Sequence, residues 1–341
     1  MSLPLNTQPV TPSGFCHRTT KIALILTSVT VVVLIIMLIT GIIITTTHWV
    51  QIKRAVEYAS LNDLCNNINC VHYDPDDSLP LINSDATTAG VYTPQIARYA
   101  ADLILRLTNN SKLGNKQYIL PTLIHVASFT SKHQKRIGGW LLVDSVETPT
   151  VCWLIFRGTG SKHEWRKNFE VEQIPFLSTH STQILDKQIL VHRGFYNIYT
   201  SIRKHLLQNI KPYLQKNIPI YITGHSMGAA LATLATLELS QFPNIHLHTY
   251  TFATPRVGNN AFKIALTNNN VHSFFQIVNL TDIVFSIPFA VTPNIKTPQN
   301  PWFYEHAGTM LYFNKNWGSW KHNHLLPIYI ENLNNLNQND L

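Results

Sequence analysis

The chain has little cysteine. Four residues in 341 (Cys16, Cys65, Cys70 and Cys152) are too few for a disulfide scaffold, and their spacing fits no zinc pattern. Cys65 and Cys70 lie close enough in sequence to pair in an oxidising compartment. Cys152 sits in an apolar run and reads as a small buried hydrophobe. Clustered basic charge is also missing. The formal charge is +8, but the 26 Lys and Arg are scattered, with no basic run interleaved with aromatics. That argues against nucleic acid as a partner and leaves only a mild attraction to anionic lipid headgroups. Internal repeats are absent, and the only biased stretch is the Asn-rich end, expected to fray over 336–341. His246 and His248 share one face of a strand but have no third ligand in the pattern. No metal or cofactor is expected.

One apolar run is long. Ile22 to Ile44 carries no charge and is mostly Ile, Leu and Val; as a helix it would cover roughly 34 Å, enough for a bilayer core. A signal peptide's apolar region is shorter, about 7–15 residues. The expected organisation is therefore a tail over 1–20, a transmembrane helix over 21–50 with Trp49 as interfacial anchor, a polar, Pro-containing stalk over 51–90, and a globular domain over 91–335. Arg18 and Lys21 face Lys53 and Arg54 across the run, and the free amino terminus tips the balance toward a cytosolic N-terminus. The domain would then be lumenal or extracellular, Cys16 a juxtamembrane palmitoylation candidate, and Asn109-Asn-Ser111 a usable glycosylation sequon. Asn279-Leu-Thr281 is a second sequon, in a position expected to be buried.

Strands and helices alternate through the globular part. Gln95–Leu107 has an amphipathic helical stripe, and 139–143 and 151–156 read as strands. Ile198, Ile202, Leu206 and Ile210 mark a helix after Val191-His-Arg-Gly-Phe195. Strands follow at 246–252 and 274–279, with a helix around 260–266 between them, then an apolar strand at 309–313 and a closing element at 325–330. This is the pattern of a mostly parallel sheet with helices on both faces. Its centre is 218–232. A β-branched strand runs into Gly224-His-Ser-Met-Gly228 and then into an Ala- and Leu-rich helix. So abrupt a turn needs neighbours without side chains, and it presents Ser226 as an exposed hydroxyl at a helix N-terminus.

A serine nucleophile needs a base and an orienting acid, and on this fold the order is Ser, acid, His. Between Ser226 and the last histidine the only acids are Glu238, Asp282 and Glu305. Glu238 lies inside the nucleophile helix, pointing away, and Glu305 adjoins His306. Asp282, just past a strand, is the acid of choice. His306, His322 and His324 are the candidate bases, with the late-loop His324 preferred and His322 next.

From about Gln95 to Leu333 the chain resembles the class 3 lipases, the family of the filamentous-fungal triacylglycerol lipases, with their α/β-hydrolase fold. The matching pieces are Ile155-Phe-Arg-Gly-Thr159, Trp165 with Asn168, Val191-His-Arg-Gly-Phe195, Thr223-Gly-His-Ser-Met-Gly228, Thr251-Phe-Ala-Thr-Pro-Arg-Val-Gly-Asn259, Asn279-Leu-Thr-Asp-Ile-Val284 with Pro288, and His324 followed by Tyr329. The resemblance implies hydrolysis of lipid acyl esters, with Ser226 as nucleophile, Asp282 as acid and His324 as base. It also implies an oxyanion hole from Thr159 and the Met227 N–H, and a helical lid over 161–169 containing Trp165. Phospholipase A1 or mono/diacylglycerol lipase activity is the alternative within enzymes, and a catalytically inactive lipase fold is the alternative outside them. The sequence departs from the family at Ala229, where Gly is usual, and at Asp282-Ile283, where Asp-Pro is common.

Overall fold

The computed structural model describes residues 90–112, 122–130, 137–158, 170–177, 188–268, 270–294 and 296–336. All of these belong to one compact unit of the chain. The tail, the apolar run, the stalk up to residue 89, Cys16, Cys65, Cys70, Thr159 and Trp165 lie outside the described residues. Among the described residues, no helix is long and apolar enough to cross a membrane.

Helix α1 (Pro94–Lys112) buries the stripe Ile96, Tyr99, Ala100, Leu103 and Leu107, as its 3.6-residue spacing predicts, and runs a turn further than Leu107. Three strands follow: β1 (Ile124–Thr130), β2 (Ile137–Val143) and β3 (Cys152–Phe156). Then come a short pair, β4 (Gln173–Pro175) and β5 (Leu190–His192), and the long helix α2 (Arg193–Leu214). His192 caps α2: its Nδ1 accepts the Phe195 N–H at 3.4 Å and its ring stacks on Phe195. Strand β6 (Pro219–His225) leads into α3 (Met227–Leu239), β7 (His246–Phe252), α4 (Asn260–Asn268) and β8 (Val271–Asn279). A two-strand ribbon, β9 (Val291–Thr292) and β10 (Trp302–Phe303), precedes β11 (Thr309–Phe313), the single turn α5 (Trp320–Asn323) and α6 (Leu326–Glu331).

The main sheet has the order β1-β2-β3-β6-β7-β8-β11. From β3 to β11 every pairing is parallel. β1 and β2 add an antiparallel edge that the sequence reading did not anticipate at β1. The reason is visible in the strand itself: Ile-His-Val-Ala-Ser-Phe-Thr buries only Ala127 and Phe129, too sparse a pattern to stand out.

Alternation along the central strands builds two cores. Leu154, Phe156, Ile220, Ile222 and Leu247 face α2, α3 and α4. Trp153, Ile155, Tyr221, Tyr250 and Phe252 face α1 and α6. Helices on both faces are thus found as expected. α3 is buried all round, including Glu238, whose carboxylate meets Arg203 of α2 at 2.6 Å. Cys152 is a fully buried free thiol in β3, and burial pushes it well up from its ordinary value.

Candidate active site

Parallel strands put their carboxyl ends on one rim, and two of those ends, of β6 and β8, lead into the predicted Ser226 and Asp282. β6 ends at His225 and delivers Ser226. The turn is sterically forced. A Cβ on Gly224 would lie 2.3 Å from the Gly228 carbonyl oxygen, and one on Gly228 would lie 2.5 Å from that of Phe156. Ser226 itself has φ 59° and ψ −127°, a strained conformation for a non-glycine residue that costs on the order of 1–3 kcal/mol. Its N–H bonds to the Phe252 carbonyl, and its own carbonyl accepts the Ala229 and Ala230 N–H groups. The strain is held by the start of α3 and by β7. Ala229, fully buried, fits without disturbing this turn.

The expectation of an exposed hydroxyl is corrected. Ser226 is only 5% exposed. A Cβ on Gly158, just past β3, would lie 3.8 Å from the Ser226 Cβ, and the His324 ring stands within hydrogen-bond distance of its Oγ.

β8 ends at Asn279, and three residues later comes Asp282, whose side chain is fully buried. It heads a 3₁₀ turn over Ile283–Ser286, and its Oδ1 accepts the Val284 N–H at 2.9 Å. Oδ2 accepts from His324 Nδ1 at 2.7 Å and from the Tyr329 hydroxyl at 2.7 Å. The other ring nitrogen, Nε2, lies 2.8 Å from Ser226 Oγ. Since a carboxylate only accepts, Nδ1 carries the proton and Nε2 is the acceptor for the serine hydroxyl. Burial acts to raise the Asp282 carboxyl, but the His324 ring and the three donors outweigh it and hold it below the usual carboxylate value. Burial, then the adjacent Asp282 charge, push the Tyr329 phenol well up, so it stays a donor.

A second layer ties the acid-bearing and base-bearing loops together. The Asn279 carboxamide donates to the carbonyls of Lys315 and Asn323 and accepts the Lys315 N–H. Asn323 returns a bond to the Thr281 carbonyl at 3.2 Å and accepts the Trp317 N–H at 2.7 Å. Asn279 is wholly buried, so this sequon is spent on the scaffold, as its position suggested. The parts Asn323 and Thr281 play here leave no motif in the sequence. Only their position beside the acid and the base points to them.

The other candidates fall elsewhere. His322 is exposed, and its Nδ1 contacts Ser319 at 2.8 Å. His306 stacks on Phe285 and points Nε2 at its carbonyl. Glu305 pairs with Lys263 at 3.0 Å. Met227 opens α3, where a first-turn N–H has no acceptor within the helix. At the opposite rim, His246 and His248 do cluster, with His272, but among the described residues no group of His, Cys, Asp and Glu is arranged to hold a metal.

A strained serine on a strand–helix turn, joined to an imidazole and a buried carboxylate, is the architecture of an α/β-hydrolase. Comparison with known proteins narrows it. Residues 153–292 match the family described as Lipase (class 3). Over 162 residues the chain is 31% identical to Phospholipase A1-II 3 of Oryza sativa subsp. japonica, covering 40% of this chain and 38% of that one. It is 29% identical over 188 residues to the chloroplastic Galactolipase DONGLE of Arabidopsis thaliana, covering 46% and 39%. The chain thus spans about two-fifths of the length of these relatives. Among solved structures, a Rhizomucor miehei lipase propeptide complex superposes with a TM-score of 0.52 at 20% identity, over 65% of this chain and 67% of that one. That likeness establishes the fold as lipase-type.

Proposed function

We propose that this protein is a serine hydrolase that cleaves acyl esters of lipids through an acyl-enzyme. The observation that carries the reading is the 2.8 Å contact between Ser226 Oγ and His324 Nε2, backed by the buried Asp282 on the ring's far nitrogen. His324 takes the serine proton as Oγ attacks the ester carbonyl, then hands it to the departing alcohol. Water repeats the sequence in reverse to free the fatty acid. Asp282 keeps the imidazole in the reactive tautomer and stabilises its cationic form. The Met227 N–H at the start of α3, with Thr159, serves the tetrahedral oxyanion; losing one such donor typically costs about 10²–10³ in rate. The stretch 161–169, with Trp165, acts as the lid.

The apolar segment at 21–50 anchors the chain in a membrane, with the N-terminus cytosolic and the catalytic domain lumenal or extracellular, beside an insoluble substrate. Glycan occupancy at the half-buried Asn109 reports this topology. Phospholipase A1 action is favoured over triacylglycerol hydrolysis by one observation: the matched relatives are named as a phospholipase A1 and a galactolipase.

A fluorophosphonate probe tests the chemistry. Wild type labels stoichiometrically and Ser226→Ala does not. A folded wild type that fails to label would leave a lipase-type fold used for binding. A panel of phosphatidylcholine, monogalactosyl diacylglycerol, diacylglycerol and triacylglycerol then ranks the substrates.

A further inference from the structure

His225, between Gly224 and Ser226 in Gly224-His-Ser-Met-Gly228, has no part in the chemistry above. Strand alternation places it on the same face as Tyr221, the face that α6 covers. Its ring lies 4.7 Å from the His324 ring, tilted by 35°, and 6.1 Å from that of Tyr329. Its Nε2 is 2.8 Å from the main-chain carbonyl oxygen of His324. A carbonyl only accepts, so Nε2 carries the hydrogen and donates.

The bond matters because of where His324 sits. It follows the four-residue turn α5, and its own N–H makes a long 3.3 Å bond to the Lys321 carbonyl. One turn of helix is a weak mount for a side chain whose ring must stay within hydrogen-bond reach of Ser226 Oγ. Asn323, just before it, is held by Asn279 and by Thr281, so the turn is pinned on the acid's side. His225 pins it on the serine's side.

We infer that His225 is a positioning residue, joining the nucleophile's strand to the main chain of the base so that His324 stays aligned on Ser226. The inference rests on the hydrolase reading above. An imidazole suits the task. Burial, and next the His324 ring, press His225 down to about 3, so it stays neutral and donates without setting a second cation beside the imidazolium formed in turnover. The carboxamide of glutamine carries an N–H at the same number of bonds from the backbone and is the conservative replacement.

The experiment uses the full chain in detergent and a soluble short-chain p-nitrophenyl ester. His225→Phe keeps the stacking surface but lacks the donor. Its kcat is expected to fall at least about tenfold, with KM within about twofold, and its fluorophosphonate reaction rate to slow in parallel. His225→Gln is expected to recover most of the lost rate. A folded His225→Phe with wild-type kcat and labelling rate overturns the inference. So does a loss that appears only in KM or melting temperature, or one that glutamine fails to rescue. If wild type itself does not label, the hydrolase reading has failed instead.

Discussion

Among the described residues histidines gather at both ends of the same sheet, and only one gathering sets an imidazole between a carboxylate and a hydroxyl. At the amino ends of β7 and β8, the rings of His246 and His272 are 4.4 Å apart and those of His248 and His272 5.6 Å. Their partners are neutral: Asn217 Oδ1 for His246 and Ser273 Oγ for His248. At the carboxyl ends, His225 and His324 are equally close, but His324 has a buried carboxylate on one nitrogen and a hydroxyl on the other. An imidazole by itself is not a candidate base. A fixed anion that selects its tautomer, and a strained hydroxyl within reach, make it one.

Removing the anion should give the largest effect. Asp282→Asn keeps the shape but can present its amide hydrogens to Nδ1, turning the ring to the tautomer that cannot take the serine proton. We expect kcat on a soluble ester to fall about 10³–10⁴-fold. His246→Gln, at the other rim, should leave kcat unchanged. Equal losses in the two variants would erase the distinction between the ends.

The same contrast explains what could be read in the chain. Ser226 is legible because the sterics of Gly224 and Gly228 allow so few alternatives at that turn. Asp282 is legible because acids are scarce between Ser226 and the last histidine. His324 had to be chosen among three histidines, since a base on a loop leaves no periodic trace. The distances now separate it from His306 and His322. The parallel core was legible from long β-branched runs, but β1, half exposed at the sheet edge, was not. The loop network of Asn279, Thr281 and Asn323 escaped notice because side-chain-to-carbonyl bonds across 36 to 44 residues have no local signature.

A second comparison sets one buried acid–base pair against another. Glu238 and Arg203 join α3 to α2 with side chains 0% and 13% exposed, near the end of α3 opposite Ser226. Asp282 and His324 are comparably buried, but their pair reaches the serine hydroxyl. Arg203→Met removes the cation that faces the buried Glu238. It is expected to cost about 3–5 kcal/mol in urea unfolding. The fluorophosphonate labelling rate per folded molecule should match wild type. A slowed label in the folded fraction would mean that the α2–α3 seam reaches the site after all.

Acid provides the smallest and most selective probe. Burial, then the His272 and His246 rings, depress His248 to about 4. Its unfolded counterpart titrates near 6.5, so between those values the unfolded chain binds a proton that the native one refuses. Native stability therefore falls as pH drops through 6.5 and stops falling on this account near 4. Asp282 has the opposite sign of charge but is also depressed. Its contribution is intact above the ordinary carboxylate value near 3.8 and is lost only below it. His225, at the carboxyl rim and pressed lower still, loses stability through the same window as His248, so imidazoles fail first at both rims and the Asp282 carboxylate last. His248→Gln should shrink the stability lost between pH 7 and pH 4.5 by about 2 kcal/mol, measured by urea unfolding at each pH. Asp282→Asn should leave that loss unchanged. If His248→Gln loses as much as wild type across that range, the amino-end cluster is not where protons enter.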